Sequence, residues 1–574
     1  MKLFQKLLCA VLALAFAFAL AACGGTGKTP GGEDPGGGGN TELSGTINIY
    51  IPFGTTDQNA LRQVANAYMR LHRNVTVNIQ ANPSDQYTEA VRGIILAPEE
   101  TDMDIVQINV VSEYYGTDRI VEFSSYLNQR NPYGTPDENG TYPIWKDMLE
   151  EEAYFTDEGS YTIPALSYES NYLMVFYSKQ LFENNGWTAP TTWQELLNLL
   201  DSARTAGYVN PLGLNYDESG VENFYFGSIQ QMYLDQYFRD VINTVHSQDG
   251  DYSYIDSVDY GWEYSADDPY VDSREQYTYN LSRLIDAYFN GSEINATSAR
   301  FADMMANLYE LTRYSSSAYT AATMRNAFHN GVLTALGGAS YTPAESCVLY
   351  VARMDYISDF QTSIGAVLDF PNDSIPADQI DDYLGWFVLP AMPDNASVDG
   401  GAPAADNVRH FGGPDHHPMG VINHNDQERT NLVMDFMMFW YSPQGMDYFY
   451  GAYGDVGTAL PLTCLVRDVE KPVNSLVENI PTFEGLCSLN PYLEIGIGYD
   501  ASIYGSSGTV RDGYVSVIRN YLTSSSSDWS SYGTQVHSTI SSGFANYAAA
   551  ENLRFTDPAE SVNYFQNSPY RTTQ

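Results

Sequence analysis

The sequence predicts an α/β protein with two lobes, and three observations support this prediction. Its 574 residues exceed the size at which a single hydrophobic core usually stops growing. From residue 46 onward, strand-like and helix-like periodicities alternate, which is typical of a doubly wound parallel sheet. Further along, residues 161–187 contain two apolar, strand-like runs separated by a polar break. That break is compatible with a hairpin, or with a chain that leaves one sheet and enters another.

The fold is predicted to begin with a β-α-β-α-β pattern, in which strand alternation and helical spacing of apolar residues take turns. The predicted bounds are 46–52, 57–71, 75–80, 85–96 and 103–111. The last of these is a continuous apolar run, as expected of a buried parallel strand. Ligands of such sheets bind beyond the carboxyl ends of the strands. The loops after the first and third strands therefore supply Phe53, Thr55 and Asn109 as candidate ligand residues.

Local signals define the elements around the polar break. Pro164 lacks a backbone N–H and therefore belongs at the edge or end of a strand. A second apolar run covers residues 173–177. Thr192 and Glu195 have the spacing of a capping box, which predicts the start of a helix. Later helices are predicted over residues 299–314, 428–441, 510–521 and 532–552.

Residues 161–207 contain, in order, Tyr-Thr-Ile-Pro, Asn-Tyr-Leu-Met-Val-Phe-Tyr-Ser-Lys, Leu-Phe, Asn-Asn-Gly-Trp and Ala-Pro-Thr-Thr-Trp-Gln-Glu-Leu. This order resembles the core signature of the family 1 extracellular solute-binding proteins, the substrate receptors of carbohydrate ABC importers. Ser178 stands where the family usually has Asn. The resemblance implies a periplasmic-binding-protein-like fold with two lobes, a hinge and an interlobe cleft. It makes the polar break the first crossing between lobes, so that Glu169 and Asn171 would lie at the hinge and cleft floor.

Two further segments resemble elements of that family and add aromatic candidates. Residues 327–341 resemble a Phe-x-x-Gly, apolar strand, Gly-Ser-Trp element. The resemblance places Tyr341 at or near the Trp position, where an aromatic side chain lines the ligand cleft. Residues 383–393 resemble the segment in which the chain returns to the first lobe, with Trp386 at that crossing.

The C-terminal half completes the implied division into lobes. Residues 411–425, which include His416, resemble a Gly-Gly strand segment, and residues 451–461, which include Tyr453, would re-enter the second lobe. The implied lobe 1 comprises residues 46–165 and 388–445, and the implied lobe 2 comprises residues 166–387 and 446–574.

The N-terminus resembles a bacterial lipoprotein signal. A basic start and an uncharged apolar run end in Leu-Ala-Ala-Cys23, as a signal peptide requires. The resemblance implies a signal peptide over residues 1–22 and a diacylglyceryl thioether on Cys23, with an ordinary secretory signal or an uncleaved anchor as alternatives. Residues 23–45 are rich in glycine, and we expect a tether there because no core can form. The sequence thus predicts lipid anchoring at the extracytoplasmic face of the cell membrane.

Composition excludes some partners. The formal charge of −44 repels phosphate backbones, so we expect no nucleic-acid partner. The sequence contains no nucleophile elbow, Walker loop or His-Glu-x-x-His motif, and we expect neither an enzyme nor a cofactor.

Four histidines, His410, His416, His417 and His424, cluster within 15 residues. Histidine at short spacing can bind metal, but we predict a polar loop at the cleft mouth and no metal site. A disulfide between Cys464 and Cys487 stays open.

Sugars are bound by aromatic stacking and by fans of polar hydrogen bonds. The candidate ligand residues are Phe53, Thr55, Asn109, Glu169, Asn171, Tyr341, Trp386, His416 and Tyr453. With the family resemblance, they predict a receptor that captures a carbohydrate and delivers it to the permease of an ABC importer. We expect the carbohydrate to be an oligosaccharide. A receptor of the same fold for peptides or other solutes, and a surface hydrolase or adhesin, remain alternatives.

Overall fold

Two separate β-sheets carry the helices of this protein. The computed structural model describes residues 43–52, 55–82, 86–108, 114, 117–150, 153–157, 162–171, 173–217, 220–221, 226–238, 242–265, 277–291, 294–393, 418–456, 463–469, 508–550 and 552–569. The strands are β1 (Ser44–Ile51), β2 (Asn74–Ala81), β3 (Ile105–Gln107), β4 (Tyr154–Asp157), β5 (Thr162–Leu166), β6 (Glu169–Ser170), β7 (Leu173–Ser178), β8 (Leu212–Gly213), β9 (Leu349–Arg353), β10 (Leu384–Phe387), β11 (Met419–Val421) and β12 (Thr463–Cys464).

The α-helices connect these strands and cover the sheets. They are α1 (Thr55–Leu71), α2 (Tyr87–Leu96), α3 (Ser124–Leu127), α4 (Lys179–Asn185), α5 (Trp193–Thr205), α6 (Phe226–Phe238), α7 (Ile242–Val245), α8 (Asp256–Asp259), α9 (Leu281–Phe289), α10 (Ala299–Thr312), α11 (Ala321–Ala335), α12 (Tyr356–Val367), α13 (Ile380–Tyr383), α14 (Gln427–Trp440), α15 (Pro443–Val456), α16 (Gly508–Leu522) and α17 (Ser530–Ala550). Among the described residues, none of these helices is long and apolar enough to cross a bilayer.

The first sheet has six strands in the order β2-β1-β3-β11-β5-β4. Strand β1 pairs in parallel with β2 and with β3, so the predicted β-α-β-α-β start is confirmed. Ile47, Ile49 and Ile51 are fully buried, which is the alternation that predicted this strand. Strand β11 runs antiparallel between β3 and β5. The carboxyl ends of β1, β3 and β5 therefore lie at one edge of this sheet.

The second sheet has four strands in the order β10-β7-β9-β8. Successive side chains of strand β7 point to opposite faces of the sheet, and a hydrophobic core covers each face. Leu173 and Val175 belong to one hydrophobic core, which also contains residues of α5, α6, α10, α16 and α17. Met174 and Phe176 belong to a second core, which is built with α11 and α12.

The polar break is a crossing between the two sheets. Strand β5 belongs to the first sheet and β7 to the second, and the two are not paired with each other, which excludes a hairpin. Between them, β6 forms a short antiparallel ladder with β12, in which Glu169 is opposite Cys464. Two distant parts of the chain therefore meet where the first sheet passes into the second.

The division after α14 differs from the prediction. Helix α15 packs against α1, Leu149 forms a β-bridge with Val466, and the backbone N–H of Arg467 donates to the carbonyl of Met148 at 2.9 Å. The described residues 443–456 and 463–467 therefore lie beside the first sheet, whereas the predicted division assigned residues 446–574 to the second lobe. The reason is tertiary packing, because the apolar face of α15 finds its partner on α1.

An apolar strand was expected within residues 327–341, but residues 327–335 belong to α11. Met324, Phe328 and Val332 recur at helical spacing and are buried in one core, and a capping box at Thr320 starts the helix. The strand that follows, β9, begins only at Leu349. The predicted helices over residues 299–314, 428–441, 510–521 and 532–552 are confirmed with small shifts of their ends.

Candidate functional site

The residues of the crossing are polar and buried. Ser167, Glu169 and Asn171 are exposed by only 6%, 3% and 4%. Burial of a carboxylate costs free energy unless its surroundings compensate. If this segment served only as a linker, apolar residues at these buried positions would stabilise the fold more. The polarity of this crossing therefore indicates a site that binds something or moves, rather than a passive linker.

Tyr168 anchors the crossing to the first sheet's helices. Its ring packs against Trp440, Tyr441 and Phe449 with centroid distances of 5.3, 5.9 and 5.0 Å. In addition, the hydroxyl of Tyr441 donates to the carbonyl of Leu166 at 2.6 Å. These contacts fix the direction in which the chain leaves β5. Tyr168 therefore has a packing role.

A second carboxylate lies beside the crossing at the start of α1. Asp57, in the first turn of that helix, accepts a hydrogen bond from the hydroxyl of Tyr453 on α15. Burial raises the pKa of Asp57, and the hydrogen bond from Tyr453 opposes that rise. Burial also raises the pKa of Tyr453, and the negative charges of Glu169 and Asp57 raise it further. Tyr453, Asp57 and Glu169 therefore influence one another electrostatically.

The crossing is also linked to the second sheet. The backbone N–H of Asp355 donates to the side-chain oxygen of Asn171 at 3.3 Å. Asp355 directly precedes α12 and is exposed. At the end of β9, Arg353 pairs in register with Leu173, and its side chain is half-buried. Asn171 thus joins the crossing to the edge of the second sheet that faces it.

These contacts define a hinge strip that extends from the first sheet across the crossing to the second. The hinge strip comprises Asp57, Tyr168, Glu169, Asn171, Asp355 and Tyr453. Its carboxylates and amide can hydrogen-bond to hydroxyl groups of a ligand, and its tyrosines offer both a ring face and a polar tip. The arrangement suits recognition of a polar, uncharged solute better than it suits chemistry on one.

The structure brings together three of the residues predicted as ligand contacts, namely Glu169, Asn171 and Tyr453. Thr55 is the first residue of α1, two residues before Asp57, so its backbone lies at the same edge of the first sheet as Asp57. Phe53, Asn109 and His416 lie outside the described residues, as does the lipidation site Cys23.

Tyr341 and Trp386 do not join the hinge strip. Tyr341 lies in the loop between α11 and β9, and its backbone N–H donates to the hydroxyl of Thr334 at 3.0 Å. The strand expected before it is part of α11, and the role of Tyr341 in the cleft stays a prediction. Trp386 lies within β10 opposite Phe176 and packs on the second core.

Sequence reasoning missed two members of the hinge strip. The first helix was predicted over residues 57–71, but α1 begins at Thr55, so Asp57 lies inside the first turn and can reach Tyr453. Asp355 was not singled out at all. The apolar run of residues 347–352, followed by polar residues, was the signal that could have identified the end of a strand there.

Of the four clustered histidines, the structure describes one. His410, His416 and His417 lie outside the described residues, whereas His424 is described. Its two ring nitrogens lie 2.8 Å from the carbonyl oxygen of Pro98 and 2.9 Å from that of Met103. Both nitrogens are therefore engaged by the protein. Within the part of the chain that the structure describes, no group of three potential metal ligands is present.

The cysteine prediction is likewise untested. Cys464 is a buried free thiol, and Cys487 lies outside the described residues, so a disulfide between them stays a prediction.

A separate cavity of about 420 Å³ lies at the opposite end of the first sheet. Thr162, Asn423 and Gln427 are among its lining residues, and Thr162 is the first residue of β5, whereas the crossing follows the last. The cavity and the hinge strip are thus at different edges, and the cavity shares no residue with the strip.

The fold and the hinge strip together define a class: a two-lobed α/β binding protein whose strands cross between lobes at a polar hinge. Residues 54–332 match the family model described as bacterial extracellular solute-binding protein. The matched segment covers 279 of the 574 residues, which is just under half of the chain.

Solved structures agree on the fold. A cyclic alpha-maltosyl-1,6-maltose binding protein from Arthrobacter globiformis has 13% sequence identity and a TM-score of 0.50, with 87% of this chain and 99% of that chain covered. A structure described as "probable secreted solute-binding lipoprotein" from Streptomyces coelicolor has 14% identity and a TM-score of 0.50, with 87% and 98% covered.

A curated relative matches only locally. The diacetylchitobiose binding protein NgcE of Streptomyces coelicolor (strain ATCC BAA-471 / A3(2) / M145) is 51% identical over 43 residues. That match spans 8% of this chain and 9% of the relative.

Proposed function

We propose that the protein is the extracytoplasmic receptor of an ABC importer and that it captures an oligosaccharide between its two lobes. The observation that carries this proposal is the hinge strip, in which buried polar groups lie at the crossing between two sheets. The match of residues 54–332 to the solute-binding protein model supports solute capture. The sugar-binding relatives support a carbohydrate as the solute.

The two lobes of this proposal follow the two sheets. Residues 44–166 and 418–467 form the first lobe, and residues 173–393 and 508–569 form the second. Binding would bring the lobes together by rotation at the crossing, as hinge closure does in other two-lobed receptors. The closed form would present a surface to the permease.

Lipid anchoring at Cys23 is a further part of this proposal. It is supported by the Leu-Ala-Ala-Cys23 sequence after an apolar run and by the Gly-rich segment that follows. Expression of the full-length chain in a bacterium that is fed a labelled fatty acid tests it. Label should enter the wild-type protein and be absent from Cys23→Ala. A Cys23→Ala variant that keeps the label would contradict the anchor.

Ligand binding is tested with the soluble protein that lacks residues 1–45. A panel of oligosaccharides, with peptides as a second set, is screened by thermal shift, and each hit is confirmed by calorimetry. We expect at least one neutral oligosaccharide to raise the melting temperature, because a ligand that binds only the folded state stabilises it. A shift with peptides and none with sugars would contradict the proposal, as would turnover of the sugar.

A matched pair of variants locates the site. Tyr453→Phe removes the hydroxyl that donates to Asp57, and Tyr260→Phe makes the same change at a tyrosine that is 80% exposed. Loss of one hydrogen bond at a binding site should weaken binding by about threefold to tenfold. We expect that loss for Tyr453→Phe and unchanged affinity for Tyr260→Phe. Equal affinities for the two variants would place the ligand elsewhere.

A further inference from the structure

The separate cavity at the far edge of the first sheet has the size and the mixed lining of a small-molecule site. Its volume of about 420 Å³ lies within the range of about 300–1,000 Å³ that is usual for ligand pockets. Ile120, Val121 and Pro164 are buried and give it an apolar part. Its other lining residues are polar; Asp118 and Glu122 among them are carboxylates, and the lining contains no Lys, Arg or His.

Two threonines of the lining have already used their protons inside the protein. The hydroxyl of Thr117 donates to the carbonyl of Tyr114 at 2.6 Å, and the hydroxyl of Thr430 donates to the carbonyl of Asp426 at 2.9 Å. A hydroxyl has one proton to donate and two lone pairs that accept. Both threonines can therefore offer a ligand only an acceptor.

The lining glutamine is in the same condition. The side-chain amide nitrogen of Gln427 donates to the hydroxyl oxygen of Tyr126 at 3.2 Å and to the side-chain oxygen of Asn431 at 2.9 Å. An amide nitrogen carries two protons, so these two hydrogen bonds use both of them. The side-chain oxygen of Gln427 is left as an acceptor.

Glu122 keeps one carboxylate oxygen for a ligand. Its Oε1 accepts from the backbone N–H groups of Ser124 at 2.9 Å and Ile163 at 3.2 Å, and also from the hydroxyl of Ser124. Within the described part of the chain, no group donates to its Oε2. These three hydrogen bonds hold the carboxylate in place, so that Oε2 is a positioned acceptor.

Few donors balance these acceptors. The side-chain amide of Asn423 donates once, to the carbonyl of Asp118 at 2.9 Å, and so keeps one N–H; the hydroxyl of Tyr126 keeps its proton. The Nε of Arg119 lies 4.0 Å from the carboxylate of Asp118, but the same guanidinium donates to the carbonyl of Leu96 at 2.7 Å. The unused capacity of the cavity is therefore mostly that of acceptors, and its lining side chains carry negative charge.

We propose that this cavity binds a small primary alkylammonium ion. An ammonium group offers three donors and no acceptor, which complements the free oxygens of Glu122, Gln427 and the two threonines. The alkyl part of the ion packs on Ile120, Val121 and Pro164. The site is separate from the proposed function, because the cavity shares no residue with the hinge strip.

The test compares three probes of similar size and different charge. The full-length protein, purified in a non-ionic detergent at about pH 7, is titrated with cyclohexylamine, cyclohexanol and cyclohexanecarboxylate by ligand-observed NMR. We expect the amine to bind at least about tenfold more tightly than the alcohol, because hydrogen bonds to an ionised donor are about twice as strong as neutral ones. The carboxylate should show no binding. Equal affinities for amine and alcohol would overturn the inference.

A matched pair of variants locates the amine, because a chain of charge −44 attracts cations over its whole surface. Gln427 and Gln194 are both exposed residues in the first turn of a helix, α14 and α5, and each donates to the side-chain oxygen of an asparagine four residues later. Gln427→Lys should weaken amine binding at least about threefold, because it adds a positive charge to the lining. Gln194→Lys should leave the affinity unchanged. Equal affinities of the two variants would overturn the site.

A third variant tests the positioned oxygen directly. Glu122→Gln can keep an oxygen for the contacts with Ser124 and Ile163, and it replaces the free acceptor by a donor. We expect it to weaken amine binding by at least about tenfold. A folded Glu122→Gln protein with wild-type affinity would overturn the assignment, and if this variant does not fold, the comparison of the two lysine variants decides.

A last arm distinguishes the source of the ammonium group. Nα-acetyl-lysine methylamide carries the same group at the end of a lysine side chain. Tighter binding of this compound than of cyclohexylamine would assign the cavity to lysine side chains of a peptide, and weaker binding would assign it to free amines. A protein that binds an oligosaccharide but none of these amines would overturn this inference and leave the proposed function intact.

Discussion

Acid should destabilise this protein through one buried histidine, His329. Its ring nitrogen lies 2.9 Å from the hydroxyl oxygen of Tyr356, and its side chain is 13% exposed. Burial lowers the pKa of His329 from 6.5 to about 4; Asp359 acts in the opposite direction, and Arg325 lowers the pKa further. The folded protein therefore keeps this imidazole neutral at pH values where the unfolded chain binds a proton.

The sign and the size of the effect follow from proton linkage. Because the folded-state pKa lies below the unfolded one, the contribution of His329 to stability is present above pH 6.5 and is lost as the pH falls toward 4. A pKa difference of this size corresponds to about 3 kcal/mol. Between pH 6.5 and pH 5 the free energy of unfolding should fall by about 2 kcal/mol through this group alone.

The assay is urea unfolding of the wild type and His329→Gln at several pH values from about 7 to about 4.5. Glutamine can keep a hydrogen bond to Tyr356 but does not titrate. The wild type should be the more stable protein at pH 7, and the difference should shrink by about 2 kcal/mol on acidification. Parallel pH dependences of the two proteins would refute the assignment of a depressed pKa to His329.

Three further predictions concern other described residues. His424→Gln should show the opposite pH dependence of stability. Burial lowers the pKa of His424, but the Asp104 carboxylate and two backbone carbonyls raise it, and the net shift is upward. The loss of stability on substitution, measured by urea unfolding, should therefore be larger at pH 5.5 than at pH 8. Asp57→Asn should raise the melting temperature at pH 7, because burial raises the pKa of Asp57 above 3.8 and the fold disfavours the charged form. The gain in melting temperature should vanish below pH 3.8. A variant that is less stable than the wild type at pH 7 would contradict this prediction. Gly385→Ala should cost about 1–3 kcal/mol, because the added methyl group would meet the ring of Tyr177 across the strand pair; unchanged unfolding by urea would refute this contact.

Sequence reasoning located the crossing but not all the residues that surround it. The doubly wound start before the polar break and the helix after it favoured a crossing over a hairpin, and β5 and β7 do lie in different sheets. The same reasoning placed Glu169 and Asn171 at the hinge. A strand was expected before Tyr341, but a helix occupies Ala321–Ala335 and β9 begins only at Leu349.

Asp57 was missed because its partner is remote in the sequence. Asp57 and Tyr453 are separated by about 400 residues in the chain, and they meet only because α15 packs on α1. Nothing in the local sequence around Tyr453 indicates which helix it contacts. The segment that ends at Arg467 lies beside the first sheet for a similar reason, because backbone hydrogen bonds join it to residues near Met148.

Local patterns of the chain predicted the class of fold, the parallel strands β1, β2 and β3 and the polarity of the crossing, because alternation, helical spacing and capping are local properties of a chain. Only the tertiary structure shows which carboxylates gather at the hinge and on which side of it each helix lies. Those relations depend on packing between segments that are distant in sequence, and local patterns do not encode which apolar face meets which partner. Residues 327–335 show the same effect, because they form a helix that packs in the second core where a strand was expected.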